Sequence, residues 1–217
     1  KQENLSNSIN SDITAYSFDR LVVCQSAEIA NLLIANNFHF ENNSAVLSID
    51  GYPENIFDTV MQMLRRNEDL KVYVLHDASP SGVSVVNTLS TNPNWFSDNS
   101  NSKVTIYDLG LLPRQVFKNR NFFTQISEDY AREAQQLSSE VKQDLTEKEI
   151  KWLEAGKFVE LESFTPQRLL RVITQGISNS RQSGSDNISG FVDYSGGADF
   201  SGGDDACDTI FADECFG

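Results

Sequence analysis

Four short apolar runs, RLVVC (20–24), AVLSI (45–49), KVYVL (71–75) and KVTIYDL (103–109), recur through the first half of the chain with amphipathic stretches between them. Runs this short, rich in Val, Ile and Leu, have the length of strands rather than of ordinary helices. Strands that alternate with helices need crossover connections, and crossovers build a parallel sheet covered by helices. The runs are nearly continuous in apolar character, as expected for strands buried on both faces. An α/β fold on a mostly parallel four-stranded sheet is therefore predicted.

The segments between the runs carry local signals. Ser26 is placed to cap a helix over SAEIANLLIANN, where Ile29, Ala30, Leu33 and Ile34 share one face. DGYP closes the second run, and Pro53 suits the first turn of a helix through ENIFDTVMQMLRR. Ile56, Val60, Met63 and Leu64 make its inner stripe, and Met61 and Met63 read as core filling rather than as a cofactor box. The turn HDASPSG leads into a helix from about Ser81 to Leu89. The second half reads as a helical segment. One helix over ISEDYAREAQQLSSEVKQDL starts at a Ser127 cap, a capping box joins Thr146 to Glu149 in a helix ending near Gly156, and Thr165-Pro166 opens the last helix.

Composition divides the chain into a flexible lead-in (1–18), the α/β domain (19–177) and a Ser/Gly/Asp-rich tail (178–217). The tail holds eight acids and one base, Arg181, which is half of the whole chain's net charge of −14. Within it DYSGGA is followed at once by DFSGGD, an echo whose spacing matches no calcium loop, so a flexible acidic interaction tail is the better reading. The acidic balance argues against nonspecific nucleic-acid binding, which needs clustered Lys and Arg, and favours protein partners. No run approaches the ~20 apolar residues of a membrane span, and KQENLSNSINSD lacks a signal-peptide core. Three cysteines, Cys24, Cys207 and Cys215, form neither a metal spacing nor an even set for disulfides, so a cytoplasmic location is expected.

Ligands of open parallel sheets gather beyond the C-terminal ends of the strands. Three such ends carry informative residues: Cys24-Gln25, Asp50-Gly51 and His76-Asp77. On one reading Asp50 and Asp77 converge, with Glu28 or Glu54 a helical turn further out, to hold Mg²⁺ for hydrolysis of a phosphodiester. On the other, both acids serve turns and caps, as acids ahead of GYP and ASPSG commonly do, and spacing alone favours this second reading. His76 and Asp77 are strand neighbours that point to opposite faces, so they make no dyad. The G-x-S-x-G elbow, the phosphate-binding G-x-x-x-x-G-K-[ST] loop and a dinucleotide fingerprint are all missing from the sequence. Cys24 reads as a small buried residue that closes a strand.

LVVCQSAEIANLL, AVLSIDGYPENIFDTVMQML and VYVLHDASPSGVSVV, followed by LTEKEIKWLEAGKFVELESFTPQRLLRVI, together resemble the Toprim domain of type IIB topoisomerases (topoisomerase VI, in its A chain) and of the related meiotic double-strand-break proteins. The likeness covers about Arg20 to Ile177 and implies a Toprim-like sheet with flanking helices and a C-terminal helical end. It implies a turn built on Gly51 and Pro53, and a second on Pro80 and Gly82 that matches an Asp-x-Asp-Pro-x-Gly loop. Of the three acids the family pattern implies for a Mg²⁺ site, the first falls on Cys24, the second on Asp77 and the third on Ser79. A catalytically degenerate domain acting as a binding or scaffold subunit is the expected function, in a DNA-related or bacterial defence system of several proteins. The alternative is a diverged Mg²⁺-dependent nuclease using Asp77 with Asp50 and Glu28 or Glu54.

Overall fold

A computed structural model describes residues 18–66, 70–96, 104–118 and 122–182. The lead-in as far as residue 17 and the acidic tail from residue 183, with its aspartate echo, Cys207 and Cys215, lie outside the described residues. Four strands, β1 (Arg20–Cys24), β2 (Ser44–Ser48), β3 (Lys71–Leu75) and β4 (Thr105–Gly110), form one parallel sheet in the order β2-β1-β3-β4. Cys24 stands level with Ser48 on one side and Leu75 on the other, so three strands end along one line. That line is where the candidate site lies.

The helices of the first half are α1 (Ala27–Ala35), α2 (Phe38–Glu41), α3 (Glu54–Arg66), α4 (Pro80–Val83), α5 (Val85–Thr91) and α6 (Pro113–Lys118). Those of the second are α7 (Glu128–Gln135), α8 (Ser139–Gln143), α9 (Glu147–Glu154) and α10 (Pro166–Gln182). Side chains alternate across a strand, so β1 feeds two layers. Val22 and Cys24 pack with Ile29, Ala30 and Leu33 of α1 and with Leu169 and Ile173 of α10. Leu21 and Val23 pack on the other face with Val60, Met61 and Leu64 of α3 and Leu89 of α5. Each such aliphatic side chain contributes about 1.5–3 kcal/mol when buried, which makes the two layers the main stabilising feature.

A smaller cluster of Leu112, Ala134, Val141, Leu145 and Leu153 joins the helical segment to the end of β4. Glu149 ties it down. The predicted capping box is formed, and the same fully buried carboxylate accepts from Arg114 Nε at 2.8 Å and from the Thr146 backbone N–H at 2.8 Å. A buried carboxylate needs this many donors to offset its lost hydration.

Several boundaries differ from the sequence reading. β2 begins one residue early, and β4 spans Thr105–Gly110. Pro53 precedes α3 rather than lying in its first turn, and Met61 sits deeper in the core than the half-buried Met63. The helix expected from Ser81 to Leu89 is two, because Ser84 Oγ turns back to donate to the Pro80 carbonyl at 2.8 Å where the axis breaks. The long helix expected after Ser127 is also two, since Ser138 caps a new start by accepting from Val141 N–H at 3.3 Å. α10 continues to Gln182, beyond the composition change at residue 177, and Phe18, placed in the lead-in by composition, packs against the core.

Three features were not anticipated: the short helices α2 and α6, and a ribbon. β5 (Gln125–Ile126) and β6 (Lys157–Phe158) form a two-stranded antiparallel ribbon, too short to carry any periodicity. The chain after β6 then passes through a 3₁₀ turn at Leu161–Ser163 and reaches back to the sheet. Residues 157–163 thus make a strap across the strand ends.

Candidate functional site at the strand ends

The turn after β3 is wound tightly by its own sequence. His76 N–H donates to the Gly110 carbonyl at 2.7 Å, which carries the β3–β4 pairing one step past the strand. Asp77 N–H donates to Gln25 Oε1 at 2.7 Å, and Gln25 Nε2 donates onward to Ser81 Oγ at 3.2 Å. Ser79 is the N-cap of α4, its Oγ accepting from Gly82 N–H at 3.0 Å, with Pro80 at the first helical position. Gly82 has a steric reason to be glycine: a Cβ there would lie 2.0 Å from the Asp77 carbonyl oxygen. Across the sheet, Gly51 (φ +84°) turns the chain after β2, where Tyr52 N–H donates to Ser48 Oγ at 3.1 Å.

Asp77 is committed to the strap. Ala78 and Val159 form an antiparallel bridge with bonds of 3.0 and 3.1 Å, and Asp77 Oδ1 accepts from Leu161 N–H at 2.7 Å. Burial pushes the Asp77 carboxyl above its ordinary value, and the nearby charges of Glu160 and Glu162 push the same way. The Leu161 bond and His76 oppose them without prevailing. Asp77 therefore does not cap a local turn or helix, as its position ahead of ASPSG suggested; Ser79 caps, and Asp77 bridges to the other half of the chain.

His76 is fully buried and held at both ring nitrogens. Nδ1 lies 2.8 Å from the Asp77 carbonyl and Nε2 lies 3.0 Å from Asp108 Oδ1 on β4. A carbonyl accepts only, so Nδ1 is the donor there, and the carboxylate at Nε2 favours a second proton. Burial alone would lower the histidine's pKa. The charge and hydrogen bond of Asp108, with those of Asp77 behind them, outweigh it and leave the pKa above its ordinary value.

The remaining candidates are scattered. Cys24 has no exposed surface, belongs to the apolar core, and its thiol is pushed far above the ordinary range by burial. Asp50, Glu28 and Glu54 are exposed. Neighbouring strands stand about 4.8 Å apart, so β2 and β3, with β1 between them, hold their ends roughly 10 Å apart. Oxygens around one Mg²⁺ lie about 2 Å from it. Among the described residues no group of three or more His, Cys, Asp and Glu stands close enough to hold a metal ion, and the set of Asp77, Asp50 and Glu28 or Glu54 on the nuclease reading is not such a group.

Two contacts here were not foreseen from the sequence. Gln25 reaches Asp77 across 52 positions, a contact that no local pattern reveals. Asp108 did carry a signal: an acid inside the apolar run of β4 needs a buried partner.

A family model for the Toprim domain of the topoisomerase 6 A chain and Spo11 matches residues 21–178. The chain belongs to this family. The Toprim assignment agrees with the parallel four-stranded sheet and its flanking helices. No curated protein matches the chain. Within the Toprim frame, the residues present do not fit a Mg²⁺ site of the three-acid kind. Cys24 is sealed in the core, Ser79 is spent on a helix cap, and one oxygen of Asp77 is held by the strap. Among the described residues no helix is long and apolar enough to cross a membrane.

Proposed function

We propose that this Toprim domain is catalytically degenerate and works as a binding or scaffold subunit in a DNA-related or defence system of several proteins. One observation carries the reading. The loop that would present acids to a metal is instead closed on itself by neutral hydrogen bonds, Gln25 to Asp77 and Ser81, and Ser79 to Gly82. A polar network with its partners satisfied rigidifies a surface without needing an ion. The acidic tail and the net charge of −14 favour protein partners over direct grip on phosphates.

Thermal unfolding of the whole chain with and without Mg²⁺ or Mn²⁺ tests this. A site of micromolar affinity would add about 4 kcal/mol of stability at millimolar metal. The expected result is no metal-dependent shift and no cleavage of plasmid DNA or RNA. Metal-dependent cleavage that Asp77→Asn abolishes would overturn the proposal and restore the nuclease reading. Asparagine keeps an acceptor for Leu161, so the loss would report on charge rather than on folding.

A further inference from the structure

Beside the HDASPSG turn, a groove of about 280 Å³ opens between α4–α5 and α7–α8. Pro80, Ser84 and Asn87 line one wall, and Glu133, Leu137 and Val141 line the other. Both walls are places where a helix breaks, at Ser84 and between Gln136 and Ser138. The volume falls just under the roughly 300–1,000 Å³ of small-molecule sites, which suits an inserted side chain better than a whole cofactor.

The charge lining the groove is one-sided, Glu133 being the single charged residue among those that line it. Glu133 can only accept, and the Ser84 hydroxyl has already given its proton to Pro80, leaving lone pairs. Among the described residues, the side chains of Glu133, Asn87 and Gln136 have no hydrogen-bond partner. No lysine or arginine lines the groove. The segment 128–144 that builds the acidic wall has five acids against two bases, and both bases are engaged. Arg132 pairs with Asp129 at 3.2 Å, and Lys142 Nζ donates to the Gln135 carbonyl at 3.3 Å. Pro80, Leu137 and Val141 supply an apolar surface for an aliphatic stem.

We propose that this groove receives an arginine side chain from a basic segment of a partner protein, an inference that rests on the binding-subunit reading above. The guanidinium carries five donors and no acceptor, and the groove offers a carboxylate, two amide oxygens and a hydroxyl lone pair to meet them. The methylene stem lies along Leu137 and Val141, as the stems of long cationic side chains do on apolar surface.

Titration of the isotope-labelled full chain, followed by amide NMR shifts, tests the proposal with three probes: a blocked Arg-Leu-Arg-Leu peptide, its Glu-Leu-Glu-Leu counterpart and spermidine. The arginine peptide alone is expected to give saturable shifts centred on Ser84, Asn87 and Gln136. Glu133→Gln should weaken it about two- to fivefold, the size of a partly exposed ion pair. Glu133→Lys should abolish it, and both variants change an exposed position that the core does not use. Absence of saturation, shifts spread over other surface acids, an unchanged response in Glu133→Lys, or an equal response to spermidine would overturn the proposal. The two readings fail separately. Loss of groove binding leaves the degenerate-domain reading standing, whereas metal-dependent cleavage would sink that reading and leave these shifts in place.

Discussion

Gly82 and His76 are single residues whose surroundings dictate what replaces them. Any side chain at Gly82 drives its Cβ into the Asp77 carbonyl, which is backbone and cannot swing aside. Gly82→Ala is expected to destabilise the fold by roughly 1–3 kcal/mol, the cost of overpacking a tight site, read as a lower urea midpoint with an unchanged slope. His76 gives a pH signature instead. Its folded pKa lies above the ordinary 6.5, so the folded state binds the extra proton more tightly than the unfolded one. The stability this contributes is complete below the unfolded value and is lost as pH rises through the folded value. Asp108→Asn removes the main group that holds the proton, after which burial dominates and the slope should reverse. Unfolding free energies measured between about pH 5 and 9 distinguish the two, the reversed slope lying below the ordinary 6.5 and the original one above it.

At the scale of elements, the strap is held to the sheet by the Ala78–Val159 bridge and by the single carboxylate oxygen of Asp77. Asp77→Ala leaves the buried Leu161 N–H without an acceptor, at a cost of about 1–3 kcal/mol. Asp77→Asn should retain most of that bond. Hydrogen exchange at Val159 and Leu161 is expected to accelerate in the alanine variant and to stay near the original rate in the asparagine one. Equal acceleration in both would mean that the charge, not the hydrogen bond, anchors the strap. Most of the sheet was legible because β1, β2 and β3 are mostly aliphatic, buried runs bounded by turn chemistry. Ser26, Ser127 and the Thr146–Glu149 box were legible as caps because capping is local. The breaks at Ser84 and Ser138 were missed, since the apolar stripe continues across both and hides the hydroxyl that interrupts the helix.

Across the whole molecule, what the sequence could not reveal is what joins distant segments. Cys24 and Ser79 could be marked as departures from a three-acid pattern by position alone. That Asp77 would be taken up by Leu161, 84 residues away, depends on a ribbon two residues wide and on a strap with no periodicity. The groove beside it has the same origin, because its walls come from opposite halves of the chain. These long-range junctions also set an order of assembly. During synthesis the N-terminal part of a chain emerges first and begins to organise before the rest exists. All four strands of the sheet are complete by Gly110, while the segment that covers Asp77 follows almost fifty residues later. Until the strap arrives, the nascent domain presents a bare carboxylate at its strand ends, and the strap takes it up once it has folded back.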